Sequence, residues 1–159
     1  MDANQALIEA AKTGNLAEAE KALAMRANTI FNGSEAFQIA IIKGHNEIAK
    51  RLFEKGALYF GLEFQALWLA VDNKNTEMFL LLAEHLIAAK SAIFETRGDF
   101  YIIRAAKNDS IEIFQWLAEH DVDYCGAYNS YLRIATEYNS IQIVAYLNSL
   151  GVKTFAKNA

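Results

Sequence analysis

Two histidines occupy matching places in the chain, in Ala83-Glu84-His85 and Ala118-Glu119-His120, and the single cysteine, Cys125, follows the second. Imidazole and thiolate side chains brought together are zinc chemistry, and a thiolate near an imidazole is the beginning of a nucleophile–base pair. The sequence takes neither further. His120 lies just before Cys125 in an expected loop, and nothing nearby marks an oxyanion site. The simpler reading places both histidines at helix C-termini, where a partly charged imidazole suits the helix dipole. Acid pairs such as Glu18 and Glu20 fall on exposed helix faces and read as solvating charge. The glycines are dispersed and build no phosphate-cradling loop. No catalytic residue, metal ligand or cofactor site is assigned, and an enzyme is not expected.

The totals narrow the remaining classes. The chain has 159 residues, enough for one domain with a sizeable core. Its 19 acids against 15 bases leave a net charge of −4, with no Lys/Arg run to follow a phosphate backbone, so nucleic-acid binding is not expected. One cysteine excludes an internal disulfide and fits a reducing compartment. Met1-Asp-Ala-Asn-Gln5 lacks the basic and apolar regions of a signal peptide, and no apolar run approaches the length of a membrane span. The expected location is the cytoplasm. Proline is absent, so helices are interrupted only by Gly, Asn and Asp.

The elements that would position any site follow from a repeat. The small residues Ala10, Ala40, Ala70, Ala105 and Ala135 are spaced by 30, 30, 35 and 30. Three residues before each stands a large apolar side chain: Leu7, Phe37, Leu67, Ile102 and Leu132. Four residues after comes a turn former or polar residue: Gly14, Gly44, Lys74, Asp109 and Asn139. Seven after stand Glu47, Glu77, Glu112 and Gln142, with Ala17 as the exception. Eight after stand Ile48, Met78, Ile113 and Ile143, and twelve after Leu52, Leu82, Leu117 and Leu147, with Glu18 and Ala22 in the first copy. Each copy therefore reads as two helices joined by a polar turn, with one apolar face on each. A single pair cannot bury that face, so copies must stack. The copies run near 4–28, 34–57, 64–86, 99–122 and 129–152, within one domain. Copy one is the most polar, as a solvent-facing cap would be. The spacing of 35 places an insertion near 87–98, as a loop or an extra helical turn.

On these residues the chain resembles an ankyrin-repeat protein. Ala40-Ile-Ile-Lys-Gly-His-Asn-Glu-Ile-Ala-Lys-Arg-Leu-Phe-Glu-Lys-Gly-Ala57 follows the family pattern of two small residues, two variable ones, Gly-His, Glu-Ile-Val, Leu-Leu and Gly-Ala; Arg133–Leu147 repeats it. The family's Thr-Pro-Leu-His helix start is missing. Three copy spacings of 30 fall short of the family period of about 33. The shortfall lies after the position sixteen residues beyond the small residue, which is Gly56 in copy two and Gly151 in copy five. The resemblance thus implies an all-α, ankyrin-like solenoid of about five stacked antiparallel helix pairs with shortened hairpin turns. His45 would hydrogen-bond between turns. Such short, Asn-rich copies resemble the divergent arrays of amoebae, their viruses and their intracellular bacteria, which suggests an effector in a host cytoplasm.

The resemblance also implies a function. Family members hold a partner protein on the concave side, through turn tips and the variable residues two and three places after the small residue. Carried over, these are Lys12 and Thr13, Ile42 and Lys43, Asp72 and Asn73, Lys107 and Asn108, and Glu137 and Tyr138. Ile42 and Tyr138 are the natural anchors, since an apolar residue exposed on a helix has no structural reason to be there. Aromatics in the connecting turns (Tyr59, Phe60, Phe64, Tyr124, Tyr128) serve either packing or contact. Trp68 and Trp116 are expected to pack between helices. Copy five keeps Ile141, Ile143, Val144, Tyr146 and Leu147 with no polar cap after it, so either the tail or a second chain would cover that face. Expected are a protein partner, no nucleic acid, no membrane, and a monomer or weak homodimer.

Overall fold

A computed structural model describes residues 2–59, 61–120 and 128–153. Ten helices and no strand occur among them: α1 (Ala3–Thr13), α2 (Leu16–Ala24), α3 (Phe31–Lys43), α4 (Asn46–Glu54), α5 (Glu63–Asp72), α6 (Thr76–Ala88), α7 (Ile93–Asn108), α8 (Ile111–Glu119), α9 (Tyr128–Glu137) and α10 (Ile141–Ser149). The protein is all-α. Its contacts form two compact units, residues 1–85 and 86–159.

One turn is built five times. The residue four places after each small residue, Gly14, Gly44, Lys74, Asp109 or Asn139, is left-handed, with φ of 74°, 71°, 53°, 54° and 56°. The next N–H then donates back to the carbonyl of the small residue itself. These bonds are Asn15 to Ala10 (3.1 Å), His45 to Ala40 (2.9 Å), Asn75 to Ala70 (2.8 Å), Ser110 to Ala105 (3.0 Å) and Ser140 to Ala135 (2.8 Å). This is the 6→1 bond of a Schellman stop, which satisfies a carbonyl the helix end leaves open. Its donor residue also accepts the first bond of the second helix, as when Phe114 N donates to Ser110 O (2.9 Å). Helix end and helix start share one residue, so the turn cannot be longer.

The repeat positions account for the core. The small residues and the apolar residues three places before them are buried in all five copies. So are Ile48, Leu52, Met78, Leu82, Ile113, Leu117, Ile143 and Leu147 on the second helices. Helix α2 buries only Ala19 and Ala22, and its Glu18 pairs with Lys21 in solvent. In unit 1, α1 packs on α3 and α3 on α5, while α2 packs on α4. Unit 2 repeats the scheme with α7 on α9 and α8 on α10.

The excess spacing near 87–98 is helical. Helices α2, α4 and α10 stop at a left-handed Arg26, Gly56 and Gly151, sixteen residues after the small residue; α6 stops at Lys90, about one turn later. Helix α7 begins twelve residues before Ala105, whereas α1, α5 and α9 begin seven before theirs. Helix α3 differs at its start, where Asn32, Gly33 and Ser34 form a left-handed turn. Ser34 Oγ, fully buried, donates to Ala57 O (2.7 Å), and Gln38 Nε2 donates to Gly33 O (2.6 Å). These bonds hold a backbone that costs about 1–2 kcal/mol per non-glycine residue.

Candidate functional site

The residues expected to meet a partner stand at the C-terminal ends of the first helices. In unit 1, Lys12 and Thr13 end α1, Ile42 and Lys43 end α3, and Asp72 and Asn73 end α5. Ile42 is 41% exposed, although Ile41 beside it is fully buried. The 100° step between neighbours turns one to the core and the other outward. Asp72 is not simply open to solvent: its Oδ2 accepts from Trp68 Nε1 at 2.6 Å. Trp68 is half-buried, with Phe64 tilted against it at 6.5 Å between ring centroids. Asn73 Nδ2 donates to Leu69 O (2.8 Å), closing the end of α5.

In unit 2 the structure brings two of the expected residues together. Lys107 Nζ sits 5.0 Å above the ring of Tyr138, which is 54% exposed. A cation over an exposed tyrosine contributes about 0.5–1 kcal/mol. Glu137 accepts from Arg133 Nη1 at 2.8 Å along α9. Asn108, half-buried, precedes the left-handed Asp109. The surface here presents a tyrosine held by a lysine, with an ion pair beside it.

Several polar contacts between copies are not apparent from the repeat pattern. Asn75 Nδ2 donates to Ile41 O (3.1 Å) and Asn46 Oδ1 (2.8 Å), while its Oδ1 accepts from Met78 N (3.2 Å). It caps α6 and ties it to the preceding copy. In unit 2, Asp109 Oδ1 accepts from Gln142 N (3.0 Å) and Ile143 N (3.1 Å), capping α10 from the preceding copy's turn. Arg51 Nε meets Glu20 Oε1 at 2.6 Å, and its Nη1 meets Glu54 Oε2 at 3.2 Å. Hydrogen bonding to Glu20 first, and to Glu54, holds its guanidinium pKa above the usual value. Lys50 pairs with Glu77, which also accepts from Asn46. The bond to Lys50 lowers the Glu77 pKa and raises that of Lys50.

The three histidines have separate surroundings. His45 is the N-cap of α4, but its side chain makes no capping bond; the ring lies against Gly14, where a Cβ would come within 2.7 Å of Cε1. His85, in the last turn of α6, meets Phe53 edge-on at 5.0 Å. His120, the C-cap of α8, stacks on Trp116 at 3.9 Å, and its Nδ1 donates to Trp116 O at 2.8 Å. Among the described residues no three His, Cys, Asp or Glu side chains gather as metal ligands would. Cys125, Tyr124 and Phe60 lie outside the described residues. No helix among them is long and apolar enough to cross a membrane.

A scan against protein-family models finds no match for this chain, and a search of curated proteins finds none either.

Proposed function

We propose that the protein is a non-catalytic interaction module, an ankyrin-like solenoid that binds a partner protein through the ends of its first helices. Ile42, Lys43, Asp72, Asn73, Lys107, Asn108, Glu137 and Tyr138 are the contact residues of this reading. The observation that carries it is Tyr138. A large aromatic side chain more than half exposed, with Lys107 stationed over its ring, is a rigid amphipathic anchor of the kind that dominates interfaces. The exposed Ile42 at the equivalent end of α3 supports it. So does the shared Schellman turn, which presents these helix ends in the same way in every copy. The short Asn-rich copies add the suggestion of an effector acting on a host protein.

Affinity capture from a eukaryotic lysate tests this, with wild type beside an Ile42→Glu, Tyr138→Ala double variant checked for folding by circular dichroism. A protein retained by wild type and lost by the variant is the expected result. Equal retention would remove these helix ends from the interface.

A second reading rests on a separate observation. Ile141 is 77% exposed, and Thr136, Asn139, Ile141, Val144, Ala145 and Asn148 line a shallow cavity of about 400 Å³ on α9 and α10. A second copy docked on this face would make the protein a dimerising regulator. Light scattering on wild type and Ile141→Asp separates the two: a wild-type dimer lost in the variant favours dimerisation, and a monomer in both removes it.

A further inference from the structure

Residues from the extra turns of α6 and α7 line a cleft in unit 2. Ile87, Lys90, Ser91, Phe94, Glu95 and His120 line it, and its volume is about 570 Å³. That lies within the range of about 300–1,000 Å³ typical of ligand-binding clefts. Ile87 is 46% exposed, a large aliphatic side chain placed in water by an inserted turn. Phe94 forms the floor, with Trp116 tilted against it at 5.6 Å and His120 stacked on Trp116. The base is apolar and aromatic.

The rim is polar and mixed. Lys90 and Ser91 come from the turn after α6, Glu95 from the first turn of α7, and His120 from the end of α8. The Trp116 carbonyl can only accept, so the bond at 2.8 Å fixes the His120 proton on Nδ1. In the neutral ring Nε2 is then an acceptor. The rim therefore offers an ammonium and a hydroxyl as donors, and a carboxylate and an imidazole nitrogen as acceptors. A simple anion would meet Glu95, and a simple cation would meet Lys90. A peptide backbone, with carbonyls and N–H groups alternating along its length, matches both kinds of group.

We propose that this cleft is a docking site for a short, uncharged stretch of an extended peptide, which inserts one large apolar side chain between Ile87 and Phe94. Its carbonyls accept from Lys90 and Ser91, and its N–H groups donate to Glu95 and His120 Nε2. The site is distinct from the helix ends carrying Ile42 and Tyr138, and it stands or falls independently of them.

Titration of the full chain with capped peptides of the form acetyl-Gly-Gly-Xaa-Gly-Gly-amide tests this, with Xaa as Leu, Phe or Ala. Two-dimensional amide NMR is the readout. The Leu and Phe peptides are expected to shift the amides of Ile87, Lys90, Ser91 and Glu95 and the Trp116 indole N–H, and to bind at least about tenfold tighter than the Ala peptide. Ile87→Asp, at an exposed position, should abolish the shifts while the rest of the spectrum is kept. Lys90→Gly, which retains the left-handed turn, should weaken binding without abolishing it. Equal response to Leu and Ala, shifts mapping elsewhere, or survival of the shifts in Ile87→Asp would overturn the proposal. So would the absence of any response.

Discussion

Replacing Asp109 separates two contributions that the repeat has combined in one residue. Asp109 takes the left-handed conformation at φ 54°, where a β-carbon is strained, and its carboxylate accepts two backbone N–H groups at the start of α10. Losing such a cap costs about 0.5–2 kcal/mol. Relieving left-handed strain with glycine returns up to about 1 kcal/mol, less the extra chain entropy of the glycine. Asp109→Ala loses the cap and keeps the strain, so it should destabilise unit 2 by about 1–2 kcal/mol. Asp109→Gly loses the cap and releases the strain, so it should lie near neutral. Lys74→Gly is the control: Lys74 holds the same left-handed position in unit 1 with φ 53°, and glycine there should stabilise by about 0.5–1 kcal/mol. Urea denaturation followed by tryptophan fluorescence reads each case. A Trp68→Phe background leaves Trp116 as reporter for unit 2, and Trp116→Phe leaves Trp68 for unit 1. Equal losses in Asp109→Ala and Asp109→Gly, or a loss in Lys74→Gly, would refute the separation into strain and cap.

Three further outcomes follow from other contacts. Gly14→Ala places a Cβ within 2.7 Å of the His45 ring at φ +74°, so it should destabilise unit 1 by about 2 kcal/mol or more; adding His45→Ala should return the steric part and leave the backbone strain, as a double-mutant cycle would show. Ser34→Ala removes the donor to the Ala57 carbonyl inside the left-handed turn, and thermal denaturation should show a loss of about 1–3 kcal/mol. Glu77 has a folded pKa below its ordinary value of 4.5, because Lys50 and Asn46 bond its carboxylate. Its contribution is therefore complete above that value and disappears as pH falls through the lower, folded one. Acid titration of stability should be shallower in Glu77→Gln than in wild type, and the difference should shrink in high salt, since the pair is exposed.

The period of the small residues was enough to place the turns and the core. Ala10, Ala40, Ala70, Ala105 and Ala135 end buried, and the residue four places later is left-handed in every copy. Both outcomes are local: a 3.6-residue period decides which side chains share a face, and a Gly, Asn or Asp marks where the helix can stop. The exposure of Ile42 and Tyr138 follows from the same register. Lys74 shows the limit of composition alone, since it takes the left-handed stop without being a residue that favours it.

Partnerships between copies came only with the tertiary structure. Asn75 and Ser140 hold the same place in the repeat, yet Asn75 reaches Ile41 O and Ser140 reaches Lys107 O, one residue further along the preceding helix end. Asp109 finds α10 and Arg51 finds Glu20 more than thirty residues away. Such pairings depend on the offset and rotation between stacked helices, which many small packing contacts set together and no local pattern records. The cleft beside His120 has the same origin. The spacing of 35 announced extra residues, but the lengthening of α6 and α7 decided that they would leave Ile87 in solvent above Phe94.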